Sequence, residues 1–273
     1  SRIEPGIPLI RGTIQNGSSN HRSDGLFTSG SWSIEGFYQF DSKIQHAATQ
    51  SLLRLYSTGS SSTSNSGSLL FNVIAVNNTQ SGSNDATVTI FGRPSSVTGI
   101  ASFNAVLTGV NLFDGNPWHI LVGRQRNDSI GSFVSSSYFL TASRATGNSH
   151  YQSYQTNVLY NEGPSFPSIF STASDTLNSS GTYALIGSSS IYTTSSALFL
   201  NDPAIVEFAR STNFTGKVGQ LRFWSKALLH DEGMTHALNF KSVGAIDPLV
   251  NYNFVSTRTG SFEKLRFSYE MDQ

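Results

Sequence analysis

The sequence predicts an all-β fold, an antiparallel β-sandwich of the jelly-roll type, from three observations. Short segments that alternate apolar and polar residues recur along the chain. Clusters of Ser, Gly and Asn separate them at short intervals, and helical periodicity is almost absent. With 273 residues, the chain is long enough to bury a large core in one sizeable all-β domain.

The first stretch, SRIEPGIPLIRGTIQNGSSNHRSDG, holds two prolines and one short apolar run, Ile7 to Ile10. It reads as an arm or edge strand over residues 1–26. In SWSIEGFYQF, the residues Trp32, Ile34, Gly36, Tyr38 and Phe40 fall on one face of a strand and Ser33, Glu35, Phe37 and Gln39 on the other. LLRLYS follows as a strand, and SSSTSNSG, Ser60 to Gly67, as a hairpin tip. SLLFNVIAVN, ATVTIFG and ASFNAVLTG are further strands, and PWHILVGRQR, Pro117 to Arg126, gives the strongest central-strand signal in the middle of the chain.

Residues 127–197 read as an elaborated insert with strands at SYFLTA, YQTNVLY and TYALIGSSSI. In FTGKVGQLRFWSKALLHDEG, Val218, Leu221 and Phe223 alternate with polar neighbours, apart from a slip at Gly219. MTHALNF supports only one or two helical turns. The sandwich is expected to span 27–255, with 256–273 as an edge strand or an arm.

Charge narrows the function classes. Seventeen basic and 17 acidic residues cancel, and charged residues make up 12% of the chain. With no cluster of Lys and Arg, nucleic acid is not an expected partner. The same absence removes a basic membrane patch, and no apolar run is long enough for a spanning helix. Without cysteine, disulfides and thiolate chemistry do not arise. Ser, Thr, Asn and Gln supply the solubility, a composition common in viral, secreted and cell-surface β proteins. The start at Ser1 and end at Gln273 suit a segment excised from a longer chain. Five Asn-x-Ser/Thr sites, at Asn16, Asn77, Asn127, Asn178 and Asn213, have meaning only for a secreted chain.

Three segments occur in a characteristic order: SWSIEGFYQFD, DGNPWHILVGRQRND and FTGKVGQLRFWSKALLHDE, with YALIGSSS between the last two. Together they resemble the concanavalin A-like superfamily, and within it the laminin G and pentraxin-like jelly rolls. Trp118-His119 after an Asp-Gly turn and Phe214-Thr215-Gly216 with Ala227-Leu228 are the most specific matches. The resemblance spans roughly Phe27 to Phe254 and makes Phe223 and Trp224 packing and corner residues.

That superfamily includes glycoside hydrolases, which need two carboxyl groups about 5 Å apart for retaining chemistry. No strand here offers Glu-x-Asp or Glu-x-x-x-Glu, so a hydrolase is not expected. His119 reads as a packed or hydrogen-bonded residue rather than a base, and His230 and His236 with Asp231 and Glu232 as a polar turn rather than a metal site. The resemblance implies calcium as an admissible ligand, with Asp114, Asn116, Asp128 and Asp202 as the loop oxygens at hand. Tyr151, Tyr154, Tyr160 and Tyr192 are the candidates for contact with sugar, and each fits a half-buried strand position equally well. The expectation is therefore a non-enzymatic structural or attachment module of a virus particle, on the virion or an extracellular surface, with a glycan-binding, lectin-like domain as the alternative. Its expected partners are other copies of itself, other virion proteins or a cell-surface glycan.

Overall fold

Alternation along the strands folds the chain into two sheets packed face to face. The structure, a computed structural model, describes residues 8–12, 31–42, 49–57, 68–77, 85–92, 103–127, 135–146, 151–161, 182–187, 212–224, 226–239 and 265–269. In chain order its strands are β1 (Pro8–Gly12), β2 (Trp32–Phe40), β3 (Thr49–Ser57), β4 (Ser68–Asn77), β5 (Ala86–Gly92), β6 (Phe103–Val110) and β7 (Trp118–Asn127). There follow β8 (Ser135–Ala145), β9 (Tyr151–Asn161), β10 (Thr182–Ile186), β11 (Thr212–Asn213), β12 (Gly216–Trp224), the helix α1 (His230–Leu238) and β13 (Leu265–Tyr269).

The first sheet has the order β1-β10-β3-β4-β5-β6, with β11 joined to β3, and the second has the order β13-β12-β2-β7-β8-β9. Every pairing is antiparallel except the two-residue contact of β11 with β3. The all-β sandwich expected from the sequence is thus the observed architecture. SYFLTA and YQTNVLY lie in β8 and β9, long strands of the second sheet, and TYALI forms β10 of the first.

The core lies between the sheets. Trp32, Ile34, Tyr38 and Phe40 of β2 point into it beside Trp118, Ile120 and Val122 of β7. Leu53, Val73, Val88, Ile90 and Phe103 face them from the first sheet. Close packing demands a glycine at Gly92, where an added Cβ would sit 2.1 Å from the Phe103 ring. The slip at Gly219 is a bulge: the β12–β2 register shifts between Gly219 and Arg222, and Gln220 takes φ +50°.

The helix is longer than the sequence suggested, nine residues or about two and a half turns. Local signals at its start explain this. Glu232 accepts the backbone N–H of Leu229 at 2.8 Å and pairs with Lys226, and Asp231 and Glu232 both lie in the first turn. Packing against β7 and β8 supplies what the weak apolar pattern does not. Among the described residues no helix is long and apolar enough to cross a membrane.

Candidate functional site

Of the two outer faces of the sandwich, that of the second sheet carries the densest polar chemistry. Even-numbered residues of β2 fill the core, so Glu35 points the other way, toward α1. His119 on β7 is next to it because the strands are paired Glu35↔Leu121 and Phe37↔His119. Arg222 and Trp224 come from β12, where Arg222 pairs directly with Glu35, and His236 comes from the last turn of the helix.

The carboxylate of Glu35 is the common acceptor. Its Oε2 receives His119 Nε2 at 2.8 Å and His236 Nδ1 at 2.9 Å. Its Oε1 receives Trp224 Nε1 at 2.9 Å and lies 3.4 Å from an Arg222 nitrogen. The His236 ring also stacks on Trp224, with centroids 5.4 Å apart. His119 Nε2 faces an ionised carboxylate, which only accepts, so it donates the hydrogen bond to Glu35, while His119 Nδ1 is buried without a hydrogen-bond partner.

Burial is the largest single influence on the Glu35 carboxyl and would raise its pKa. The charge of His236 and the hydrogen bonds from His119 and His236 together outweigh it, holding the group well below the ordinary carboxylate range. The arrangement has the residue types of acid–base catalysis, but Glu35, His119, Arg222 and His236 are each no more than 1% exposed. No substrate atom reaches a group so enclosed. The cluster instead locks α1 to the sheet, with help from Ser33, whose Oγ donates to the Lys226 carbonyl at 2.7 Å and accepts the Leu228 N–H at 2.8 Å. Trp224, expected as a corner residue, packs with Leu121 and Leu228 under this cover.

The outer face of the first sheet is different. Leu53 belongs to the core, so Arg54 points outward, and the register aligns Arg54, Asn72, Phe91 and Asn104 across four strands. Arg54 is 1% exposed, and burial lowers its pKa to about 10, so it remains a cation at neutral pH in a desolvated setting. Asn104, Val106 and Thr108 along β6 are exposed, and Thr87 and Thr89 on β5 are half-buried.

The residues singled out from the sequence are dispersed. Asp114 sits in the turn before β7, where its carboxylate pairs with Arg144 and accepts the Asn116 N–H at 2.9 Å and Trp118 Nε1 at 3.3 Å. Arg144 also lies over the Trp118 ring, 4.9 Å from its centroid. Asn116 is exposed beside this turn, while Asp128 and Asp202 lie outside the described residues. Among the described residues no group of three or more His, Asp or Glu side chains is placed to hold a metal ion. Tyr154 and Tyr160 are half-buried and pack on the core, Tyr154 against Trp118 and Tyr160 against Phe103. Tyr151 opens β9, and Tyr192 lies outside the described residues.

Sequence reasoning missed Glu35 and Arg54 as singular residues. The available signal was a lone charge in the middle of a strongly apolar strand, in SIEGF and LLRLY.

No protein-family model matches the chain, and no curated protein matches it. Solved structures similar to it are alginate lyases. One, from Pseudomonas aeruginosa, is 15% identical with a TM-score of 0.25, and the match covers 57% of this chain and 62% of that one, less than two thirds of its length. Another, from Alteromonas sp. 272, is 13% identical with a TM-score of 0.23, covering 58% of this chain and 70% of that one. A polysaccharide lyase of family 18 gives the same figures. The likeness is one of fold alone, a jelly-roll β-sandwich. It also corrects the expectation of a non-enzymatic structural or attachment module of a virus particle: the similar structures named are enzymes, and none of these three is a virion protein.

Proposed function

We propose that this domain is a carbohydrate-active enzyme that takes a polysaccharide across the outer face of the first sheet, along the exposed polar residues of β6. The observation that carries this reading is the outward row of β6, where Asn104, Val106 and Thr108 are exposed beside half-buried Thr87 and Thr89 of β5. Exposed Asn104 and Thr108 and half-buried Thr87 and Thr89 offer hydrogen bonds suited to sugar hydroxyls. On the other outer face α1 packs over β7 and β8.

The test is to incubate the purified protein with uronate polymers and with neutral glucans and mannans. Chain length and the ultraviolet absorbance of unsaturated uronate are followed together. Shortening of at least one of these polymers is expected, with a rate loss of roughly tenfold for Asn104→Ala combined with Thr108→Ala. If no polymer is shortened, or if the folded double variant keeps full activity, the reading is wrong.

A further inference from the structure

Among the described residues, the four sheet edges are not equally defended. β1 carries Pro8 and Arg11 and a register shift, and β13 carries Arg266. β6 has a register shift against β5 and Gly109 at φ +74°. These are ordinary devices that discourage a further strand from adding. β9 has none of them. Its sequence, YQSYQTNVLYN, contains no charge and no proline, and it pairs with β8 through eleven consecutive residues without a bulge. Gln155, Asn157 and Leu159 are exposed along it, Leu159 at 67%.

We propose that β9 is a homodimer interface, at which two copies pair their β9 strands antiparallel about a twofold axis through Thr156. The sequence is self-complementary in that register. Gln155 meets Asn157 of the second copy, and Tyr154 meets Val158, each pair occurring twice, while Thr156 meets itself. Amide–amide, aromatic–β-branched and Thr–Thr pairs are all favourable across antiparallel strands. Tyr154 and Val158 already pack on the core, so their pairing extends the buried layer from one copy to the next. On the outer side exposed Leu159 is covered opposite Ser153. A strand with no charge suffers no like-charge repulsion when it meets its own copy, which selects a second copy over a charged partner. The two six-stranded sheets then become one continuous sheet, and the interface is isologous.

Sedimentation across a concentration series tests this with two double variants, Gln155→Lys with Asn157→Lys and Gln155→Glu with Asn157→Glu. In the proposed register each variant sets like charges opposite one another in two pairs, and mixing the variants sets opposite charges there. The wild-type chain should dimerise. Each variant alone should show roughly tenfold or weaker association, with an unchanged circular dichroism spectrum because both positions are exposed, and the mixture should recover a heterodimer. A wild-type chain that stays monomeric at every concentration overturns the proposal. So does a variant that dimerises as the wild type does, or a mixture that associates no better than its components.

Discussion

Replacing Glu35 with Ala tests whether the buried cluster holds the helix to the second sheet. The substitution removes the acceptor from His119 Nε2 and Trp224 Nε1 and deprives Arg222 of its buried countercharge. Because these groups are buried, water cannot take the place of the lost carboxylate without opening the packing between α1 and the sheet. Removing one partner of a buried ion pair costs about 3–5 kcal/mol. Orphaned neutral donors cost about 1–3 kcal/mol each, but they share one site, so the costs do not add. A loss of about 4 kcal/mol corresponds to a melting temperature lower by roughly 10 °C for a chain of this size. Urea titration followed by tryptophan fluorescence measures it, and Trp224 reports on the site itself.

Acid supplies the control. The folded-state pKa of Glu35 is depressed, so the unfolded chain takes up its proton first as the pH falls. The carboxylate's contribution is therefore fully present above about pH 4.3 and is lost as the pH drops through the lower folded value. The stability gap between wild type and Glu35→Gln should narrow in that acid range. A loss under about 1 kcal/mol for Glu35→Ala, or a gap that does not change with acid, would refute the argument that this carboxylate anchors the helix.

Gly92→Ala should destabilise by about 1–3 kcal/mol, because the new methyl meets the ring of core residue Phe103, which is stacked on Tyr138 at 4.2 Å; thermal melts read it, and Gly92→Ala with Phe103→Leu should recover part of the loss. Ser33→Ala should cost about 1–3 kcal/mol by leaving the buried Leu228 N–H without its acceptor, and faster hydrogen exchange at that amide locates the effect. Trp224→Phe keeps most of the apolar packing but removes the Nε1 donor, so a loss near 1 kcal/mol is expected in denaturant titration, and little of it should remain when Glu35 is already Ala.

Strand chemistry was legible in the sequence because it is local. The alternation in SWSIEGFYQF assigned every residue of β2 to its observed face, and the break at Gly219 marked the bulge in β12. What alternation does not contain is the third dimension of the cluster. His119, Arg222 and His236 lie 84, 187 and 201 residues from Glu35 in sequence and meet it only through sheet order and the placement of α1. The loop carboxylates and strand tyrosines stood out because their residue types suit known ligand chemistry, but residue type says nothing of what already occupies the group. Asp114 illustrates this: the chemistry that nominated it also draws Arg144, Asn116 and Trp118 to its oxygens. Helix length failed for the opposite reason. HDEGMTHAL has little apolar periodicity, and its stability comes from Glu232 at the start and from contacts with β7 and β8.

The two charged strand residues that sequence periodicity passed over lie beneath opposite outer faces of the sandwich. Glu35 and Arg54 are equally buried, and both point away from the core. Around Glu35, however, three aromatic N–H donors and Arg222 converge on one carboxylate, and the helix above it contributes one of those donors. Such a site resists rearrangement, since lifting α1 would break the His236 contact and expose a committed ion pair. Arg54 points outward from the other sheet, and burial lowers its pKa to about 10. The sandwich thus fixes one outer face with a buried anion and keeps a buried cation beneath the other.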